Sequence, residues 1–159
     1  SVKIKPAKWL LKHLPDSVDI LASHPVFGPF STRNGTHFAD LPWVFHKVRI
    51  RNCSRLKELF AFLKSQRLNI IEMKPHIHDK IMSRSQAIAF LFGKLSSQLK
   101  LSPSILDTQG VTMILTNQHI VESDTDEPFH DLLHFNPYVS AVLAEFKNST
   151  TEVINKIMI

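Results

Sequence analysis

The chain has 159 residues, 43% of them hydrophobic and 21% charged, with a net charge of +5 at pH 7. That length allows one domain with a real core, or one and a half small ones, and the balance is ordinary for a globular protein. The apolar runs are too short to span a bilayer, no signal-peptide pattern opens the chain, and the single cysteine, Cys53, excludes an internal disulfide framework, so a reducing cytoplasm is the simplest compartment.

Ile4 to Leu14 is predicted as a short helix. Pro6 suits its first turn, Trp9, Leu10 and Leu14 fall near one side, and Pro15-Asp16 stops it. Val18 to Ser23 is a short apolar run, read as a buried strand that leads directly into His24. Residues 28 to 42, with Gly28, Pro29, Asn34-Gly35 and Pro42, read as a loop. Trp43 to Ile50 is strand-like. Within it begins Lys47-Val48-Arg49-Ile50-Arg51, where cations alternate with apolar residues as on a strand with one wet face. Ser54 is placed to cap a helix whose Leu56, Leu59, Phe60 and Leu63 form an i, i+3, i+4, i+7 stripe. Asn69 to Met73 is a third strand, ended by Pro75.

From His76 onward the pattern is helical. Ile77, Ile81, Ile88, Leu91, Phe92, Leu95 and Leu99 keep a helical period over about six turns. Ser102-Pro103 reads as a cap followed by proline at the first helical position, which places Gly110 inside the next helix. A further helix starts between Asp124 and Glu127, with Phe129, Leu132 and Leu133 facing in, and Asn136-Pro137 marks a kink or a new helix. The natural division is near residue 75. Three strands make a poor independent sheet, so the front half reads as part of a larger one. The helices behind it carry more apolar stripes than they can bury alone, which predicts a dimer through residues 76 to 159.

Nine histidines invite a metal site, with His76-Ile77-His78-Asp79 as the best candidate. Opening a helix, His76 and His78 would diverge by about 200°. Zinc needs three or four converging ligands, and no second cluster has suitable spacing, so no metal is expected. Asp79 near a helix N-terminus is explained by the dipole. With four glycines and no glycine-rich phosphate loop, nucleotide binding by such a loop within these residues is not expected. His24 has two readings. It ends a strand and bonds a backbone carbonyl, or it serves as a base where ligands bind in α/β sheets.

Taken in order, Ser1-Val2-Lys3, Ser23-His24-Pro25-Val26-Phe27-Gly28-Pro29 and His46-Lys47-Val48-Arg49-Ile50-Arg51 resemble the prephenate/arogenate dehydrogenases of tyrosine biosynthesis. Ile71-Glu72-Met73, His78-Asp79-Lys80, Ser85-Gln86 and Asp107-Thr108-Gln109-Gly110 continue the series, and the arogenate dehydrogenase branch is the more similar. The resemblance implies that residues 1–75 are the C-terminal part of a Rossmann-type nucleotide-binding domain without its glycine loop. It implies that residues 76–159 form an all-α substrate and dimerisation domain. It implies NAD or NADP as cofactor, a cyclohexadienol substrate (prephenate or arogenate), a homodimer, and a cytoplasmic enzyme, or a plastid one in a plant.

By the same resemblance His24 accepts the ring hydroxyl proton, Ser1 contacts that hydroxyl, and Gln86 lies by the substrate. Some members hold a substrate carboxylate with an arginine on a later helix. Residues 101 to 146 contain no arginine or lysine, which leaves Arg84 and Arg49 as candidates to replace it. Phe30 stands where many members carry an acidic residue. Two other classes stay open: a non-catalytic helical dimerisation or regulatory module with a vestigial pocket, and a basic nucleic-acid binder resting on the +5 charge and the Lys47 to Arg51 run.

Overall fold

The computed structural model describes residues 2–28, 38–124 and 127–158. They divide into two compact units, Val2–His78 and the residues from Asp79 onward. The expected boundary at residue 75 falls where the helix that contains this division begins.

The first unit opens with helix α1 (Ile4–His13), strand β1 (Ile20–Pro25) and strand β2 (Pro42–Arg49). Helix α2 (Cys53–Ser65) and strand β3 (Asn69–Glu72) follow. The sheet order is β1-β2-β3, with β1 antiparallel and β3 parallel to β2. The β2-α2-β3 crossover is the kind of connection a parallel pair requires. Val44 and Phe45 are consecutive and both buried, so the middle strand is covered on both faces. Phe45 packs against Phe60 of α2 with ring centroids 4.5 Å apart, and Leu63 is buried on the same helix. The cap of α2 is Asn52, whose side chain accepts from Arg55 N at 3.1 Å; the expected cap, Ser54, lies inside the helix. Asp19 reaches the same turn and accepts from the backbone N–H groups of Arg51 and Asn52.

Helix α3 (Pro75–Arg84) begins in the first unit and ends in the second. It is followed by α4 (Gln86–Gln98), α5 (Gln109–Ser123), α6 (Glu127–Phe135) and α7 (Val139–Ile157). The single six-turn helix expected from Ile77 to Leu99 is therefore two, broken at Ser85. Ser83 Oγ and Ser85 Oγ donate to Lys80 O and Ile81 O at 2.8 and 2.9 Å, side-chain bonds that bend a helix. The expected cap at Ser102-Pro103 is also corrected. Ser104 N and Oγ both donate to the Asp107 carboxylate at 3.0 Å, and Leu106 N donates to Ser104 Oγ, so a side-chain-held turn replaces a helix start. Thr108 caps α5 instead, and Gly110 sits in its first turn rather than its interior.

The core of this unit is Met82, Ala87, Phe90, Val121, Leu132 and Val139. Asn136 is buried. It donates to Asp79 O at 2.7 Å and accepts from Tyr138 N at 3.0 Å, which starts α7 just after Pro137. Gly93 is where α4 meets α5, and Asn117 Nδ2 donates across that contact to Ala89 O at 2.8 Å. A Cβ on Gly93 would lie 2.5 Å from Val121 Cγ2. Gly93→Ala is therefore expected to destabilise the helical unit by about 1–3 kcal/mol, less the helix propensity it gains. A lower urea midpoint with unchanged slope is the expected result; a rise would mean the two helices can separate at no cost.

Candidate active site around His24

His24 is the penultimate residue of β1, paired with Val44, and Pro25 is paired with Trp43. The following proline holds His24 in extended backbone, so its side chain leaves the sheet in a fixed direction. Pairing continues past the strand end, where Val26 N donates to Pro42 O at 2.9 Å. Phe27 then packs on Phe38, with centroids 5.7 Å apart.

The partner of His24 comes from the far end of the first unit. Met73 N donates to Phe45 O at 2.8 Å, which holds the exit of β3 against β2. Pro75 then opens α3 at a position where a missing N–H costs nothing. His78 N donates to Lys74 O at 3.1 Å, fixing the first turn. His78 is buried at 2% exposure, while His76 is exposed, the divergence expected of i and i+2 on a helix. His24 Nδ1 and His78 Nε2 are 2.9 Å apart, a hydrogen-bond distance, and the rings meet edge to face at 74° with centroids 5.1 Å apart. Among the described residues no group of three or more histidine, cysteine, aspartate or glutamate side chains could hold a metal ion.

Arg49 is at the opposite end of β2 from Val44, with its side chain only 16% exposed. Its guanidinium donates to Val18 O at 2.9 Å, Asp16 Oδ1 at 2.8 Å, Leu14 O at 3.2 Å and Pro15 O at 2.6 Å. That fork closes the turn between α1 and β1 and gives Arg49 a fold-holding task. Lys47 pairs with Glu72 at 3.0 Å, so two of the three cations in the 47–51 run are engaged within the fold. Arg84 and Gln86 belong to the second unit. Arg84 makes a two-pronged contact with Glu145, at 2.6 and 3.3 Å, on the exposed surface. Gln86 is the half-buried first residue of α4. Ser1, Pro29 and Phe30 lie outside the described residues.

Cys53 is an exposed thiol at the start of α2. It borders an open depression of about 770 Å³ lined also by Asp19, Arg51 and Arg55. The Asp19 carboxylate already occupies the anion position there. Leading into α2, the N–H groups of Arg51 and Asn52 are taken by Asp19 and that of Arg55 by Asn52, and α3 opens on a proline.

His78 as the partner of His24 was not legible in the sequence, because 54 residues separate them and neither neighbourhood encodes the other. The available signal was the helix start at Pro75, which turns His78 away from His76.

No protein-family model matches the chain. It is 33% identical over 150 residues to arogenate dehydrogenase 1, chloroplastic, of Arabidopsis thaliana, covering 92% of this chain and 23% of that protein. Against arogenate dehydrogenase 2, chloroplastic, of the same plant the values are 30% identity over 141 residues, 86% and 39%. A probable arogenate/prephenate dehydrogenase of Methanocaldococcus jannaschii is 26% identical over 161 residues, covering 96% of this chain and 35% of that one. The chain thus spans well under half the length of each of these relatives. The fold matches the crystal structure of Synechocystis arogenate dehydrogenase with a TM-score of 0.64 at 15% identity, covering 99% of this chain and 59% of that one. It corresponds to the C-terminal part of that structure, a short mixed sheet followed by helices. Motif order, sequence similarity and fold agree, and the chain belongs to the prephenate/arogenate dehydrogenase family.

Proposed function

We propose that this chain provides the substrate side of an NAD(P)-dependent dehydrogenase that oxidatively decarboxylates prephenate or arogenate. The observation that carries the reading is His24, held at the carboxyl end of β1 by Pro25 and by a hydrogen bond to a buried histidine. An imidazole there can accept the proton of the substrate's ring hydroxyl as hydride leaves the same carbon. The oxygen then forms a carbonyl, the ring carboxylate departs as CO2, and its electron pair makes the ring aromatic as the carbonyl oxygen takes a proton back and becomes a phenol hydroxyl. In the family's reaction a nicotinamide takes the hydride. These residues carry no glycine-rich phosphate loop, so cofactor binding is assigned to protein outside them.

Assay of the full-length protein with prephenate and arogenate in parallel tests this reading. Reduction of NAD or NADP with at least one of them is expected, and none with either would overturn it. The present chain by itself is expected to bind nicotinamide cofactors weakly and to turn over little or not at all. Robust turnover by it would contradict the division of labour.

The helical unit leaves Leu99, Leu106, Ile157 and Met158 more than two-thirds exposed, at 71%, 84%, 77% and 81%. Apolar surface of that kind favours a partner of the same chemistry, so the unit is proposed to form a homodimer. Sedimentation equilibrium should give twice the mass of one chain, and a monomer at high micromolar concentration would contradict it.

A further inference from the structure

We infer that His78 is a positioning residue that sets the tautomer of His24. In this arrangement His24 Nδ1–H donates to His78 Nε2, and His24 presents an unprotonated Nε2 as the proton acceptor. The direction of this bond and the use made of the acceptor rest on the dehydrogenase reading; the contact between the two rings does not.

Two ring nitrogens 2.9 Å apart need one proton between them. A neutral imidazole has one donor nitrogen and one acceptor, so the direction of this bond decides both tautomers. If His78 Nε2 donated, His24 would carry its proton on Nε2 and could only offer a hydrogen to a substrate hydroxyl. If His24 Nδ1 donates, Nε2 is the acceptor and His78 keeps its own proton on Nδ1. Proton acceptance by His24 requires the second direction.

The geometry supports a fixed pair. His78 sits on a proline-started helical turn with its backbone bonded to Lys74 O, and it is buried at 2% exposure. His24 is on a paired strand and locked by Pro25. Both backbones are therefore fixed, and the burial of His78 restricts its ring. The role resembles that of a carboxylate behind a working histidine, but a neutral imidazole orients without adding negative charge.

Nitrogen-15 spectra of this chain report the tautomers directly. His24 is expected to be protonated at Nδ1 and unprotonated at Nε2. In His78→Leu it should shift to the Nε2–H form that free histidine side chains favour. In His78→Gln, whose Oε1 accepts near the place of Nε2, it should keep Nδ1–H. In the full-length protein His78→Leu should lower kcat about 10- to 100-fold with little change in KM, the usual loss when the group orienting a working imidazole is removed. His78→Gln should recover most of it.

A proton on His24 Nε2 in the unsubstituted chain would overturn the inference, as would an unchanged His24 tautomer in folded His78→Leu. Should His78→Leu not fold, the spectra of the unsubstituted chain and of His78→Gln still decide. The spectra report the tautomers whether or not substrate is turned over, so failure of this inference and failure of the dehydrogenase reading are distinguishable.

Discussion

If His24 is the proposed proton acceptor, His24→Asn in the full-length protein is expected to lower kcat by roughly 10²- to 10⁴-fold, the range for loss of a general acid-base group. Asparagine keeps a polar side chain of similar reach at the end of β1, and its amide can still bond a substrate oxygen. It cannot take up a proton. The loss therefore falls on the step in which the hydroxyl proton is transferred, and KM should change far less than kcat. Stopped-flow or steady-state measurement of nicotinamide reduction reads both constants. An unchanged kcat would return His24 to a structural role, as a strand-end side chain bonded to His78.

Phe90→Ala carries the largest expected cost to stability. Phe90 is 4% exposed in the core of the helical unit and meets Phe129 edge to face at 5.3 Å. Removing a buried phenyl ring forfeits its transfer free energy and leaves a cavity that the surrounding helices fill only partly, about 3–5 kcal/mol together. Domains of ordinary stability have about 5–15 kcal/mol in total, so the variant should be close to unfolding at room temperature. Urea denaturation followed by circular dichroism should show a midpoint far below that of the unsubstituted chain. Phe90→Leu, which retains most of the volume, should fall in between. Equal midpoints for all three proteins would mean that Phe90 does not lie in a packed core.

What could be read from the sequence was what local pattern encodes. The three strands, α1 and α2 follow from short apolar runs and their proline and glycine punctuation, and each was found within a few residues of its expected place. The place of His24 near the end of β1 was legible because Pro25 restricts its backbone. Three features were decided by side chains bonding to groups the pattern does not weigh. Serine hydroxyls turned back on Lys80 O and Ile81 O near the break at Ser85, Asp107 captured Ser104, and Asn52 took the cap from Ser54. Arg49 shows the same limit over longer range. Its alternation with Val48 and Ile50 suggests a wet strand face, yet its guanidinium closes the 14–18 turn more than thirty residues upstream. The His24–His78 contact is the extreme case, set only when β3 returns beside β2 and delivers α3 to the end of β1.

The most direct test of the central claim is growth without tyrosine in a host that lacks its own tyrosine-forming dehydrogenase, with the full-length protein supplied as unsubstituted and His24→Asn forms. Growth is expected with the first and none with the second at equal protein levels. Growth with neither form would contradict membership of the working enzyme, and equal growth with both would contradict proton acceptance by His24.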